Sequence, residues 1–272
     1  VIICVNNNWD ISQNLENFYE DYGMIQNNLD FVKNNDDNLF YRIERKDMHT
    51  FNDSSWYGYY GINAFSSMEY ENLAVLESKL GMPGNYINSF YYTDNTPIYN
   101  AIFNLKYIIG NMEDNNFYNL FFSDVINNNF IYKSKVNSNL MYVVNKDIKS
   151  WDFLYDNPFE IQNDFVSKSF GKDDVLENVK INNDSIVKFD NGIVHKLDFN
   201  KNEGYIYISD NINSIIIDGR LYTRNENNVY IDESFDYFTS ISISESKVIH
   251  FNGINSVYVA FNNEFDNDLY IY

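Results

Sequence analysis

Apolar residues at Ile11, Leu15, Phe18, Tyr19, Tyr22, Ile25, Leu29 and Val32 recur at three- and four-residue spacings, which predicts an amphipathic helix over 10–31 with Ser12 as its N-cap. The Asn-Asn-Asp-Asp-Asn run at 34–38 ends that pattern, and Leu39-Phe40-Tyr41-Arg42-Ile43-Glu44-Arg45 has the density and alternation of a strand. An aromatic loop, Trp56-Tyr57-Gly58-Tyr59-Tyr60-Gly61, leads to a helical stretch from Met68 to Leu80 that stops at Gly81 and Pro83. Thr96-Pro97 opens a short helix, because proline suits a first helical turn, and the chain then enters a strand at Lys106-Tyr107-Ile108-Ile109. Strand-like runs follow at 117–122, 129–135 and 140–145, and Asn157-Pro158 and Gly171 bracket a helix over 158–170. Beyond Gly171 helical spacing disappears. Short alternating runs sit at 185–189, 193–197, 205–209, 214–218, 221–224, 229–232, 239–243, 247–251, 256–261 and 268–272. Asp190-Asn191-Gly192 marks a hairpin turn between the first two. The expected architecture is an α+β N-terminal domain over 1–171 followed by an all-β antiparallel sandwich, jelly-roll-like, over 172–272.

Composition supports folding and narrows the partners. Of 272 residues, 44% are hydrophobic and 18% aromatic, enough apolar surface to build a core. With 19 Lys plus Arg against 39 Asp plus Glu, the net charge is −20, which disfavours nucleic acid and anionic lipid headgroups as partners. The single Cys4 excludes an intrachain disulfide and a multi-cysteine metal site. No apolar run reaches the roughly 20 residues that cross a bilayer. The apolar start Val1–Val5, without Met, gives the expectation of a fragment cut from a longer protein.

Candidate chemistry is sparse. His49, His195 and His250 are scattered and lack metal-ligand spacing. Acidic pairs such as Asp36/Asp37, Glu69/Glu71 and Asp173/Asp174 read as solvated surface, and Asp190-Asn191-Gly192 and Asp266-Asn267-Asp268 do not fit a calcium loop. There is no GxSxG, P-loop or dinucleotide fingerprint. No cofactor, metal or catalytic residue is expected. The most distinctive segment runs from Asn52 to Ser67. In it Trp56, Tyr57, Tyr59 and Tyr60 offer aromatic faces beside the polar Asn52 and Asp53, a composition that suits a sugar ring. The competing expectation is that these aromatics pin a long loop to its own domain.

Several of these stretches, in order and spacing, resemble the extracytoplasmic region of YfhO-type bacterial membrane proteins. They are Phe40-Tyr41-Arg42-Ile43-Glu44, Asn52-Asp53 with Tyr57-Gly58, Gly61-Ile62, Phe65-Ser66-Ser67, Leu80-Gly81-Met82, Thr96-Pro97 and Leu105-Lys106-Tyr107-Ile108-Ile109. Asn157-Pro158-Phe159-Glu160 with Gln162-Asn163 resembles the segment preceding that family's β-rich portion. The matching motifs cover about 30–170, and 172–272 agrees in character. The resemblance implies a polytopic membrane protein of the lipid-linked glycosyltransferase superfamily, which adds sugars to cell-wall polymers such as lipoteichoic acid. Its catalytic acid would lie in a membrane-embedded loop outside these residues. This segment is then expected to be a non-catalytic region on the extracytoplasmic face. Its partners would be the membrane-embedded remainder of the same polypeptide and a cell-wall glycan acceptor held near Asn52, Asp53, Trp56, Tyr57, Tyr59 and Tyr60. The alternative is a purely structural or protein-docking module without glycan binding.

Overall fold

The computed structural model describes residues 19, 21–112, 116–136, 138–189, 192–224, 239–262 and 269–272. Cys4, Ser12, most of the first half of the expected 10–31 helix, the Asp190-Asn191 turn, the 229–232 run and Asp266-Asn267-Asp268 lie outside them. The described chain is mostly sheet with a few helices.

The first helix, α1 (Tyr22–Asn34), buries Ile25, Asn28 and Val32 along one face. Ile25 and Val32 pack on Ile43, Tyr107, Ile109 and Ile131 of a four-stranded sheet ordered β1 (Arg42–Arg45), β4 (Leu105–Ile109), β6 (Asn129–Ser134), β5 (Tyr118–Asp124). Asn28 and Asn129 fix the helix to the sheet through a buried reciprocal amide pair, at 2.7 and 2.9 Å. Leu39, expected in the first strand, is fully exposed, and the strand begins only at Arg42.

β1 and β4 run parallel, so a crossover must join them. It contains α2 (Asp53–Tyr57), an antiparallel pair of β2 (Ala64–Phe65) and β3 (Ser89–Phe90) with α3 (Glu71–Lys79) between them in the chain, and α4 (Pro97–Ile102). Its apolar residues, among them Ala74, Leu80 and Tyr99, cover the second face of the sheet at Leu105, Ile108 and Tyr118. Covered on both sides, β4 is buried at all five positions. α4 starts as its sequence predicts, with Thr96 Oγ1 accepting from Tyr99 N at 3.2 Å and Pro97 in the first turn. α5 (Pro158–Phe170) is bracketed by Asn157, whose Oδ1 accepts from Phe159 N at 2.9 Å. At its other end Gly171 sits at φ +67° with its N–H on Ser167 O.

The expected strand at 140–145 does not form. Asn145 N instead donates to Ser169 O of α5 at 2.9 Å, and Tyr142 lies 6.3 Å from the Phe170 ring. The run lies along a helix rather than beside a sheet edge, so its apolar density has no ladder to join.

After Gly171, the described residues form two sheets. One is ordered β12 (Thr239–Ser242), β11 (Arg220–Thr223), β10 (Ile212–Ile217), β14 (Ser256–Phe261), β8 (Gly192–Phe199), β7 (Ile181–Phe189). The other is β13 (Lys247–Asn252), β9 (Glu203–Ile208), β15 (Tyr270–Ile271). Leu197, Ile215, Ile217, Val257 and Val259 of the first share a core with Ile206, Ile208, Phe251 and Ile271 of the second. The pairing is antiparallel except for β11 with β12, which run parallel. This departs from the purely antiparallel expectation, because parallel neighbours cannot be joined by a tight hairpin turn.

A seam joins the helix-containing part to these two sheets. Phe159 packs with Tyr205, Tyr207, Val248 and Tyr272. The Tyr272 hydroxyl accepts from Asn157 Nδ2 at 3.1 Å and donates to Glu160. Val248 N donates to Gly81 O at 3.1 Å. Gly81 is at φ +93°, and a Cβ there would lie 2.5 Å from Val248 Cγ2, so both its conformation and its neighbour require glycine.

Candidate functional site: a polar cleft and an aromatic loop

The aromatic loop divides into an inner and an outer set. Asp53 is 2% exposed. Its Oδ1 accepts from Thr50 N (2.8 Å) and Thr50 Oγ1 (3.1 Å), and its Oδ2 from His49 N (2.9 Å) and Arg45 Nη1 (2.8 Å). The Arg45 guanidinium also lies 5.0 Å over the ring of Tyr57, itself buried. Asn52 is clamped to Phe65 by two bonds, Nδ2 to O at 2.9 Å and Oδ1 from N at 3.0 Å. Tyr59 is held largely out of solvent, and burial, followed by the charge of Glu44, pushes its hydroxyl far above the usual tyrosine range. Trp56 and Tyr60 reach the surface. Trp56 packs edge-on against Tyr19 and Tyr22 at 5.9 and 6.4 Å, and Tyr60 lies 4.9 Å from Phe40. The structure therefore groups Asp53, Tyr57 and Tyr59 inward, and leaves Trp56 and Tyr60 with exposed area on separate aromatic neighbours.

Two carboxyls with shifted titration lie beneath this region. Glu44 on β1 is 1% exposed, and burial raises it to about 7 even though Oε1 accepts from Ile62 N and from Asn63 N (2.8 Å). Glu77 on α3, also 1% exposed, is raised to about 8 by burial while it accepts from Tyr99 OH at 2.6 Å. Gly61 passes close over Glu44: a Cβ at that position would lie 3.0 Å from its Oε1. Both acids are sealed by protein, which makes them parts of the packing rather than groups presented to a substrate.

A different place is open. Lys46, Asp94, Asn111 and Met112 face Arg220, Tyr222, Ile249 and His250 across a cleft of about 280 Å³. Lys46 and Asn111 follow the carboxyl ends of the parallel strands β1 and β4. Gly110, at φ +123°, lets the chain pass Lys46, since a Cβ there would come 3.0 Å from Lys46 Cβ. Lys46 Nζ donates to Thr93 O at 2.8 Å and pairs with Asp94 Oδ2 at 3.0 Å. His250 Nε2 stands 3.2 Å from Glu203 Oε1. Burial counts most strongly against ionisation of Glu203, but bonds from Asn116 and His250 outweigh it and hold the carboxyl below its ordinary range. Lys247 Nζ lies 5.4 Å over the Tyr222 ring, and burial, then Arg224, lowers its titration. The cleft thus combines cations, a carboxylate, an amide, an imidazole and an aromatic side wall, a lining able both to donate to and accept from a hydroxylated ligand.

Of the histidines, only His250 lines this cleft. His195 pairs with Asp184 at 3.0 Å and His49 with Asp21 at 3.1 Å. Among the described residues no group of three or more His, Cys, Asp or Glu is placed to hold a metal ion. Sequence reasoning singled out His250 without a role and missed Lys46, Asp94, Asn111, Arg220 and Tyr222, for which no local motif exists.

The architecture defines a sheet-rich protein whose described residues include no helix long and apolar enough to cross a membrane. The family model described as "Bacterial membrane protein YfhO" matches residues 4–262, and the chain belongs to that family. Neither the curated proteins nor the solved structures contain a match.

Proposed function

We propose that this chain is the extracytoplasmic, non-catalytic part of a membrane glycosyltransferase and that it positions a cell-wall glycan acceptor such as lipoteichoic acid. Membership of a membrane-protein family supports the setting. The observation that carries glycan positioning is the cleft, where Asp94, Asn111, Lys46 and His250 present mixed donors and acceptors beside Tyr222. At about 280 Å³ it is near the small end of ligand pockets and suits one sugar unit of a longer polymer. In this reading 1–171 and 172–272 are two domains, α+β and sandwich, whose seam forms the cleft, and the membrane-embedded remainder of the polypeptide supplies the reactive centre.

Titration of the labelled protein with millimolar teichoic-acid fragments tests the proposal. The His250 ring and the Asn111 amide should shift, and Asp94→Ala should abolish the shifts while the fold is retained. Shifts confined to Trp56 and Tyr60 would move the site to the aromatic loop, and silence at both places would remove glycan binding. The second reading, a structural or protein-docking module, is favoured by the packing of Trp56 against Tyr19 and Tyr22, which spends much of that indole on internal contacts.

A further inference from the structure

The run that fails to form a strand leaves a surface unlike the rest of the molecule. Leu140, Met141 and Val143 are 57%, 84% and 93% exposed, side by side. Next to them Tyr142 packs on Phe170, and both line an apolar groove of about 700 Å³ together with Val136 and Val175. Burying such a cluster is favourable in proportion to its area, and contiguous exposed apolar surface marks a place of contact.

The charge here is also local in sign. Between 135 and 151 the chain carries Lys135, Lys146 and Lys149 against Asp147 alone, a net +2 in a protein of −20. Lys146 and Lys149 belong to a short 3-10 helix (Lys146–Ser150) packed on α5, and both are exposed. Lys172 stands on the rim of the groove. Acids stand among these lysines: exposed Asp147 lies between Lys146 and Lys149, and Asp173 and Asp174 follow Lys172, so the excess of positive charge is confined to 135–151. Asp164 faces Lys168 at 3.9 Å, and Asp173 accepts from Ser167 Oγ.

We propose that this patch rests on an anionic phospholipid surface, with Leu140, Met141 and Val143 entering the boundary between headgroups and acyl chains and Lys146, Lys149 and Lys172 meeting the phosphates. Apolar side chains flanked by lysines are the composition that binds at that depth, and membership of a membrane-protein family puts a bilayer within reach. The net charge of the whole chain opposes such contact, so binding would orient the molecule with this face down and its acidic bulk away from the lipid.

The test is co-sedimentation of the 272-residue chain with vesicles of phosphatidylcholine, with and without phosphatidylglycerol. The chain should bind the mixed vesicles more tightly than the zwitterionic ones. Leu140→Ser, Met141→Ser and Val143→Ser combined should weaken binding by about a hundredfold. Lys146→Glu with Lys149→Glu should weaken it by about tenfold or more on anionic vesicles only. Lys196→Glu with Lys201→Glu, an equal charge change elsewhere, should have a far smaller effect. Because Leu140, Met141, Val143, Lys146 and Lys149 are exposed, thermal unfolding of those variants should stay unchanged and serves as the folding control. No binding, equal binding to both vesicle types, or equal losses from the two lysine pairs overturns the proposal. Lipid-independent dimerisation that the triple serine variant abolishes does so as well.

Discussion

Replacing Glu77 by Gln removes an ionisable group from the interior while keeping a carbonyl oxygen for the Tyr99 hydroxyl 2.6 Å away. With the carboxyl raised from 4.5 to about 8, the folded chain holds a proton across a pH range in which the unfolded chain has lost it. Stability is therefore greatest below the unfolded value, falls as pH rises, and levels off above the folded one. At about 1.4 kcal/mol per unit, the loss attributable to Glu77 is on the order of 4 kcal/mol at about pH 8. Glu44, raised to about 7, adds a loss of the same sign that is complete earlier. Urea unfolding of the parent and of Glu77→Gln, followed at intervals between about pH 5 and pH 8, measures the term directly. The parent should lose stability over that window. The variant should lose less, so that their difference widens by about 3 to 4 kcal/mol towards high pH. Parallel curves would mean that Glu77 is already ionised in the fold, and the argument from burial would fail.

Asp53→Ala should be severely destabilising, by about 3–5 kcal/mol in chemical denaturation, because it leaves the buried Arg45 guanidinium without its 2.8 Å partner and frees two backbone N–H groups. An effect below about 1 kcal/mol would show that Asp21, 3.5 Å from Arg45, can replace it. Gly81→Ala should cost about 2–3 kcal/mol, since it forces an unfavourable φ and a clash with Val248. The additional change Val248→Ala should recover part of that loss, and absence of any recovery would place the whole cost in the backbone.

Much of the local architecture is legible from sequence where a short signal decides it. Asn157-Pro158 and Gly171 set the ends of α5, and Thr96-Pro97 sets the start of α4, because each cap is made within one turn. Long-range effects are not legible in that way. The five-residue helix Asp53–Tyr57 lies where a loop is expected, and the Asp53 contact with Arg45 that anchors it comes from a strand. Leu140 to Val143 has a strand's composition and lies along a helix instead. The parallel β11–β12 pair depends on a crossover that alternation cannot encode. The aromatic segment is distinctive in sequence, but which rings face inward is decided by Arg45, Phe65 and Tyr22. The cleft was invisible because Lys46, Asp94, Asn111, Arg220 and His250 meet only through the tertiary arrangement.

Because the two banks of that cleft belong to stretches far apart along the polypeptide, its shape is hostage to the fit at Gly81 and Val248. Anything that bridges Asp94 and Arg220 would act as a clasp, raising the melting temperature by mass action.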